Sequence, residues 1–160
     1  MENLLNKETV KRVEEFITKF DPKLKILVLD TTARTAKDAA NSLSCDIGAI
    51  VKSLLFKDEK NYFICLVAGD KRCSLKKLKF LLKKSDISMA NADEVKEYTG
   101  FSIGGVSPVG HTKTLDILID KSLKRFQDIY AAAGHPNYIF KITYKELVEI
   151  TNGSEKEFSE

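Results

Sequence analysis

The sequence is poor in the residues that support redox and metal chemistry. It contains three cysteines and two histidines among 160 residues. Cys45, Cys65 and Cys73 form no CxxC pair and have no histidine close by in sequence. We therefore expect reduced, mostly buried thiols without a catalytic role. His111 and His135 have no carboxylate or cysteine at ligand spacing, so the sequence predicts no metal site.

Long apolar runs, internal repeats and linkers are also missing. No run approaches the roughly 20 apolar residues needed to cross a bilayer. The N-terminal stretch MENLLNKETVKRVEEF has early acidic residues and lacks the apolar segment typical of a signal peptide. With 43% hydrophobic and 31% charged residues, the sequence is typical of one soluble domain, which we expect in the cytoplasm.

The charges are nearly balanced in number but unevenly distributed. The formal net charge is +3, and the segment DKRCSLKKLKFLLKKS concentrates basic residues between positions 71 and 84. Ser74 can cap a helix in this segment. The predicted inward stripe of that helix consists of Leu75, Leu78, Leu81 and Leu82, with the lysines on the other side. Acidic residues gather near both ends, and we expect the acidic tail 153–160 to be a flexible terminus.

Hydrophobic periodicity predicts both helices and strands. The helical spacing of Val10, Val13, Ile17 and Phe20 predicts an amphipathic helix over residues of about 7–19. Asp21-Pro22 ends that helix. The segments LKILVLD, TLDILID and NYIFKIT each predict a strand, the first of them buried. IGAIVKSLLFKD and NYFICLVAGD predict a hairpin. Strands that occur both in pairs and singly indicate an α+β domain with a largely antiparallel sheet.

Capping residues predict where three further helices begin. Thr35 can cap a helix through AKDAANSL. Asn91 with Glu94, and Thr143 with Glu146, are spaced as capping boxes. Gly100 is placed to end the helix that follows Asn91.

Lys52 is unusual because it lies within the apolar segment AIVKSLLF. A buried ammonium group is costly unless it is paired. Two interpretations remain open. Strand alternation could place Lys52 in water, or Lys52 could be a cation at the mouth of a pocket that holds a carboxylate, phosphate or ester oxygen.

The segment FSIGGVSPVGH contains three glycines and a proline, residues that determine backbone conformation, within one loop. Gly104 and Gly105 can adopt positive φ, and Pro108 fixes φ directly after Ser107. Successive N–H groups in such a loop can form an anion or oxyanion site, to which Ser107 adds a hydroxyl. The alternative is a tight connection that only turns the backbone. The loop matches neither a Walker phosphate motif nor GxSxG.

A second rigid turn, Gly134-His135-Pro136, precedes the segment NYIFKIT. His135 could donate a hydrogen bond or move a proton near neutral pH, or it could simply be exposed to solvent. His111 is followed by polar TKT, and we expect it to face water.

Taken in order, several segments resemble the YbaK family of free-standing aminoacyl-tRNA deacylases, which is related to the editing domain of bacterial prolyl-tRNA synthetase. These segments are IVKSLLF, LVAGDKRCSLKKL, EVKEYTGFSIGGVSPVGH, LDILIDKSL and IYAAAGHPNYIFKIT. The resemblance covers roughly residues 25–150. It implies a deacylase domain at 25–152 with the N-terminal helix of 1–24 packed on it. The implied fold is a single α+β domain with a mixed, mostly antiparallel, barrel-like sheet surrounded by helices.

The resemblance also implies a chemistry, namely a hydrolase that removes a wrong amino acid from the 3′ end of a tRNA without cofactor or metal. Lys52 matches the active-site lysine of the family. The GxxxP loop of the family matches Gly104, Gly105, Val106, Ser107 and Pro108, of which Gly104, Gly105 and Ser107 are expected to be catalytic and Val106 and Pro108 to bind substrate. A second pocket loop matches Gly134, His135 and Pro136, and its middle residue varies between subfamilies. Asp120 matches an acidic position that we expect to be structural.

Substrate and partners follow from the same resemblance as expectations. The substrates implied are Cys-tRNA(Pro) or Ala-tRNA(Pro), with prolyl-tRNA synthetase as a possible partner. The basic side chains of Lys76, Lys77 and Lys79 could contact tRNA phosphates or could form an ordinary solvated helix face. A competing hypothesis is a non-catalytic module that binds tRNA or nucleotide in the same pocket. A small-molecule phosphate-binding enzyme is disfavoured by the lack of a metal or Walker pattern.

Overall fold

The computed structural model describes residues 7–30 and 35–160. Within them it has five α-helices and one eight-stranded sheet. The helices are α1 (Glu8–Phe20), α2 (Ala36–Leu43), α3 (Leu75–Leu82), α4 (Ala92–Thr99) and α5 (Tyr144–Thr151). The strands are β1 (Ile26–Val28), β2 (Ile50–Lys57), β3 (Tyr62–Ala68), β4 (Ser88–Met89), β5 (Asp116–Asp120), β6 (Asp128–Ala132), β7 (Tyr138–Thr143) and β8 (Ser154–Lys156). No helix in these two ranges has the length and apolar character that a membrane span requires.

The sheet is mixed, with the strand order β1-β7-β6-β2-β3-β5-β8 and with β4 added beside β2. Four pairings are antiparallel, namely β1–β7, β6–β7, β2–β3 and β2–β4. Three are parallel, namely β2–β6, β3–β5 and β5–β8. The predicted α+β domain with a mixed sheet is confirmed, as is the β2–β3 hairpin.

Strand β2 has a gap along one side, and this gap positions the site. On its other side, β3 pairs with it from Val51 to Lys57. On the gapped side, β6 pairs only with Ile50 and Val51. Strand β4 pairs only with Phe56 and Lys57. Because β6 and β4 diverge, no strand among the described residues lies beside the middle of β2 on that side.

The main core lies between α1 and the sheet. Val10, Val13 and Ile17 of α1 are fully buried and share one hydrophobic cluster with residues such as Phe101 and Phe140. This confirms the helical stripe, except that Phe20 at the end of the helix is 39% exposed. The apolar face of α1 therefore packs on the sheet and on the loop that follows α4.

The predicted caps are confirmed. Thr35 Oγ1 accepts the Asp38 N–H at 3.1 Å. Asn91 and Thr143 each form a reciprocal capping box with the glutamate three residues later. Such caps typically contribute about 1 kcal/mol each to helix stability. They fix the starts of α2, α4 and α5.

The expectation of a flexible tail at 153–160 is wrong. Residues Ser154–Lys156 form β8 and pair in parallel with β5. Phe158 is fully buried. Asp120 Oδ1 accepts the N–H groups of Phe158 at 2.8 Å and Ser159 at 3.1 Å. The aromatic ring and this carboxylate hold the tail despite its charge, and Asp120 has the structural role that was expected of it.

Other elements also differ from the expectation. In α3 only Leu78 is fully buried, whereas Leu75 is 41% and Leu81 is 37% exposed. The buried face of α3 is therefore narrower than the spacing of its leucines indicates. Strand β1 is at the sheet edge and leaves Val28 58% exposed, so it is not a buried strand. Strands β4, β6 and β8 were not predicted.

Candidate active site

A cavity of about 350 Å³ opens beside the gap in the sheet. Its lining comes from β2, β6, β7, the start of α2 and both glycine-containing loops, and is predominantly apolar. The lining residues are Thr35, Ala36, Ala39, Ile50, Val51, Lys52, Ser53, Leu54, Leu55, Met89, Ala90, Val95, Ile103, Gly104, Val106, Tyr130, Ala132, Pro136, Tyr138 and Ile139. The structure thus brings one residue or more from each of the three predicted site segments to one cavity.

Lys52 lies at this cavity and is half-buried. Its ammonium group donates a hydrogen bond to the main-chain carbonyl of Lys71. Burial lowers the pKa of Lys52 from its ordinary value, while the charge of nearby Asp70 acts in the opposite direction. This location favours the interpretation of Lys52 as a pocket cation over that of a lysine directed into open solvent.

The first glycine loop contributes Gly104 and Val106 to the cavity wall. Gly104 has φ of +96°, a conformation that favours glycine. Within residues 7–30 and 35–160, no hydrogen-bond acceptor takes the N–H of Gly104 or Val106. The N–H of Gly105 instead donates to the Ser102 carbonyl at 2.9 Å. The available main-chain donors are therefore those on either side of Gly105, and not Gly105 itself.

Gly105 does not adopt the positive φ that its sequence would allow, and its role is steric. A Cβ atom at Gly105 would lie 2.8 Å from the main-chain nitrogen of His135 and 2.9 Å from its Cα. It would also lie 3.1 Å from the carbonyl carbon of Gly134. Only glycine permits this approach without a shift of the backbone. Gly105 therefore allows the two pocket loops to touch.

Ser107 is fully buried and does not line the cavity. Its hydroxyl accepts the N–H of Val109 at 3.1 Å. Its carbonyl lies 2.7 Å from Nε2 of His111. His111 also packs edge-on against Phe101, so the expectation that it faces water is wrong. The hydroxyl of Ser107 and the ring of His111 both act inside the loop, where they fix its shape.

The second loop reaches the cavity through Pro136. Gly134 has φ of +91°. Nδ1 of His135 accepts the N–H of Asn137 at 3.1 Å, so the neutral ring carries its proton on Nε2. The ring packs edge-on against Tyr138, which lines the cavity, at a centroid distance of 5.5 Å. His135 thus supports the cavity wall and is not itself part of the lining.

Sequence reasoning missed Ser53 and the two tyrosines, Tyr130 and Tyr138, at the cavity. The hydroxyl of Ser53 is buried and has no hydrogen-bond partner within the described residues. No sequence signal marks it, because a serine in a half-buried strand is ordinary. The tyrosines lie in strand segments whose patterns indicate packing alone.

Helix α3 does not line the cavity, but the backbone runs from it directly to β4, whose Met89 does. Lys76 is exposed, and Lys77 donates to the carbonyl of Ser159 at 2.6 Å. Phe80 is 83% exposed among the lysines. This surface combines positive charge with one aromatic ring, and Lys77 also holds the C-terminal tail.

The cysteines lie apart from the cavity lining. Cys65 is buried, whereas Cys45 and Cys73 are partly exposed, so the expectation of mostly buried thiols holds for one of the three. Burial raises the pKa of the Cys65 thiol, and the contact with Cys73 acts in the same direction. Among the described residues, no group of three His, Cys, Asp or Glu side chains could hold a metal ion.

Comparison with known proteins agrees with the resemblance seen in the sequence. The uncharacterised protein YwhH of Bacillus subtilis is 34% identical over 146 residues, which are 89% of this chain and 91% of that protein. The proline–tRNA ligase of Caldicellulosiruptor bescii is 30% identical over 77% of this chain, but the match spans only 21% of the ligase.

A solved structure gives the same result. The crystal structure of a candidate trans-editing enzyme for prolyl tRNA synthetase matches with a TM-score of 0.90 and 36% identity, over 96% of this chain and 98% of that one. The sequence pattern of the aminoacyl-tRNA editing domain matches residues 30–150. These matches cover most of the sequence, and the chain belongs to the aminoacyl-tRNA editing domain family.

Proposed function

We propose that this protein is a free-standing hydrolase that cleaves the ester bond of mischarged aminoacyl-tRNA. The observation that carries the proposal is the meeting of two features at one cavity. The N–H groups of Gly104 and Val106 have no acceptor among the described residues, and the Lys52 ammonium lies at the same cavity. Family membership supplies the substrate class, because these domains edit aminoacyl-tRNA.

The reaction needs little beyond positioning and electrostatics, because an aminoacyl ester is already activated. Water attacks the ester carbonyl carbon, the bond to the ribose oxygen breaks, and the products are the amino acid and the tRNA with its hydroxyl restored. The N–H groups of Gly104 and Val106 donate to the oxygen that becomes negative. Lys52 adds a positive charge near it. The tRNA hydroxyl next to the ester can take part in moving the proton.

The cavity supports a small amino acid as the substrate. Its volume of about 350 Å³ lies near the lower end of ligand pockets, and the lining is mostly aliphatic or aromatic. Alanine and cysteine fit such a space, and a rigid glycine loop limits its enlargement. The relatives that are proline–tRNA ligases support Cys-tRNA(Pro) or Ala-tRNA(Pro) as the mischarged species and the synthetase as a partner.

The surface of α3 is proposed to contact the tRNA backbone. Lys76, Lys77 and Lys79 lie on one short helix, and phosphate binding needs clustered cations of this kind. The segment after α3 leads to Met89 at the cavity. The proposal places the tRNA backbone on this surface while the 3′ end of the tRNA enters the cavity.

The deciding experiment is a single-turnover hydrolysis assay with a panel of aminoacyl-tRNAs. We expect faster loss of the amino acid from tRNA(Pro) charged with alanine or cysteine than from the same tRNA charged with proline. Binding of these tRNAs without hydrolysis would instead support the non-catalytic binding module. Equal cleavage of all members would contradict the editing proposal.

A further inference from the structure

Ser53 presents its main-chain polar groups to the gap in the sheet. The Gly69 N–H donates to the Ile50 carbonyl at 2.8 Å, and the Asp58 N–H donates to the Asn61 carbonyl at 2.9 Å. These bonds fix the alternation of the β2–β3 ladder, in which every second residue of β2 bonds to β3. The residues that bond to β3 have even numbers, as Ile50 and Asp58 do. Ser53 has an odd number, so its N–H and carbonyl are directed away from β3.

No strand among the described residues partners Ser53 on that side. The pairing with β6 stops at Val51. The pairing with β4 starts at Phe56, and the Ala90 N–H reaches back only to the Leu55 carbonyl at 3.0 Å. The Oγ of Ser53 is also buried without a partner in residues 7–30 and 35–160. Ser53 thus combines an Oγ without a hydrogen-bond partner and main-chain groups without a strand partner among the described residues, beside a mostly apolar cavity.

Such an arrangement is costly for a folded protein. An unsatisfied buried polar group destabilises the folded state, and native structures contain few of them. A ligand that enters the cavity can complete such groups where they border it. The cavity wall offers space for that ligand directly beside Ser53.

We propose that Ser53 binds the α-ammonium group of the aminoacyl moiety through its backbone carbonyl and its hydroxyl. This inference rests on the proposed function. An ammonium group cannot enter an apolar cavity without acceptors, and no carboxylate is among the described residues that line this one. The N–H groups of Gly104 and Val106 can serve the ester oxygen but cannot accept from an ammonium group. The carbonyl oxygen and Oγ of Ser53 are two acceptors on one rigid strand, and they set the orientation of the ester towards the loop.

A comparison of two substrates tests the assignment. The substrates are the mischarged tRNA that the wild-type protein cleaves fastest and its N-acetyl derivative, which lacks the ammonium group. We expect Ser53→Ala to lower kcat/KM for the free-amino substrate by about 10-fold or more, since hydrogen bonds to charged groups are worth about 1.5–3 kcal/mol. Cleavage of the N-acetyl substrate should change by less than about twofold. Ser53→Thr retains the hydroxyl and should restore most of the rate.

Two further measurements separate recognition from structure. Ser122→Ala removes another buried hydroxyl, outside the cavity, and should leave both rates unchanged. The Tm of Ser53→Ala should equal or exceed that of the wild type, because the removed hydroxyl has no partner among the described residues. Calorimetry with a non-hydrolysable adenosine that carries an alanyl amide at its 3′ position should show weaker binding to Ser53→Ala.

The possible failures are distinguishable. Equal losses on both substrates, or an unchanged rate on the free-amino substrate, would overturn the role of Ser53 while leaving the proposed hydrolase intact. A wild-type protein that cleaves no aminoacyl-tRNA would refute the proposed function and the assignment together.

Discussion

Substitution of Gly105 tests whether the approach of the two pocket loops controls catalysis. A new Cβ would lie 2.8 Å from the His135 nitrogen, where ordinary contacts begin near 3.4 Å, so the loops must separate by about 0.6 Å. The N–H donors of Gly104 and Val106 flank this residue and would move with it. Loss of one oxyanion donor costs on the order of 10²–10³ in rate, and displacement on the ångström scale costs about 10². We expect Gly105→Val to lose about 10²-fold or more, and Gly105→Ala to lose less.

The rate loss of Gly105→Val is compared with that of Ser107→Ala. The hydroxyl of Ser107 accepts from Val109 inside the loop, so its removal leaves the cavity donors in place. We expect a smaller loss of rate than for Gly105→Val. A fitting control is Gly153→Ala, whose Cβ would meet Ile119 Cδ1 at 2.8 Å away from the cavity lining. That variant should lose stability without a matching loss of chemistry.

The assay is single-turnover deacylation of one mischarged tRNA, after circular dichroism and thermal unfolding have shown that each variant is folded. If Ser107→Ala proves the more damaging of two folded variants, the hydroxyl is the functional group. The account based on main-chain donors would then be wrong.

Three other variants probe the remaining features. Lys52→Ala should fold and lose about 10- to 150-fold in deacylation rate, because the lost charge-assisted contact with the substrate is worth about 1.5–3 kcal/mol. Lys141 is an exposed strand lysine, and the control Lys141→Ala should retain activity. A change of twofold or less for Lys52→Ala would contradict the role of Lys52. A variant in which Glu replaces Lys76, Lys77 and Lys79 should bind tRNA more weakly. The slope of log affinity against log salt concentration should become less steep by about 0.7–0.9 for each lost phosphate contact. An unchanged slope would place the tRNA elsewhere. Hydrogen bonds from Asn91, Lys57 and Tyr62 lower the pKa of Glu94 from 4.5 to about 2, so its stabilising effect is present above pH 4.5 and is lost as the pH falls towards 2. The Tm difference between the wild type and Glu94→Gln should therefore be largest near neutral pH and narrow across that acidic range, and a constant difference would refute the pKa assignment.

Features coded by neighbouring residues could be predicted from the sequence. Thr35, Asn91 and Thr143 cap their helices through groups only three residues away. The β2–β3 hairpin depends on two adjacent apolar segments and a short turn. Lys52 and the loop 104–108 were prominent because a cation in an apolar strand and adjacent glycines are uncommon patterns.

Features that depend on distant partners could not be predicted in this way. The tail is polar in sequence, and contacts with distant residues make it ordered, among them the carboxylate of Asp120, the burial of Phe158 and the pairing of β8 with β5. The two adjacent glycines look equivalent, yet Gly104 has a special φ while Gly105 is needed for the approach of His135. Ser53 acquires its significance only where β6 and β4 part, and no local pattern records that divergence.

The ordered tail also bears on the mechanics of the site. The backbone of Glu160 exchanges hydrogen bonds with that of Arg72, at 2.9 and 3.1 Å. Arg72 directly follows Lys71, whose carbonyl holds the Lys52 ammonium. The tail therefore holds the backbone next to Lys71, whose carbonyl accepts the hydrogen bond of the Lys52 ammonium. A disturbance at the C-terminus would displace this carbonyl and so the Lys52 ammonium, without any change in the residues that line the cavity.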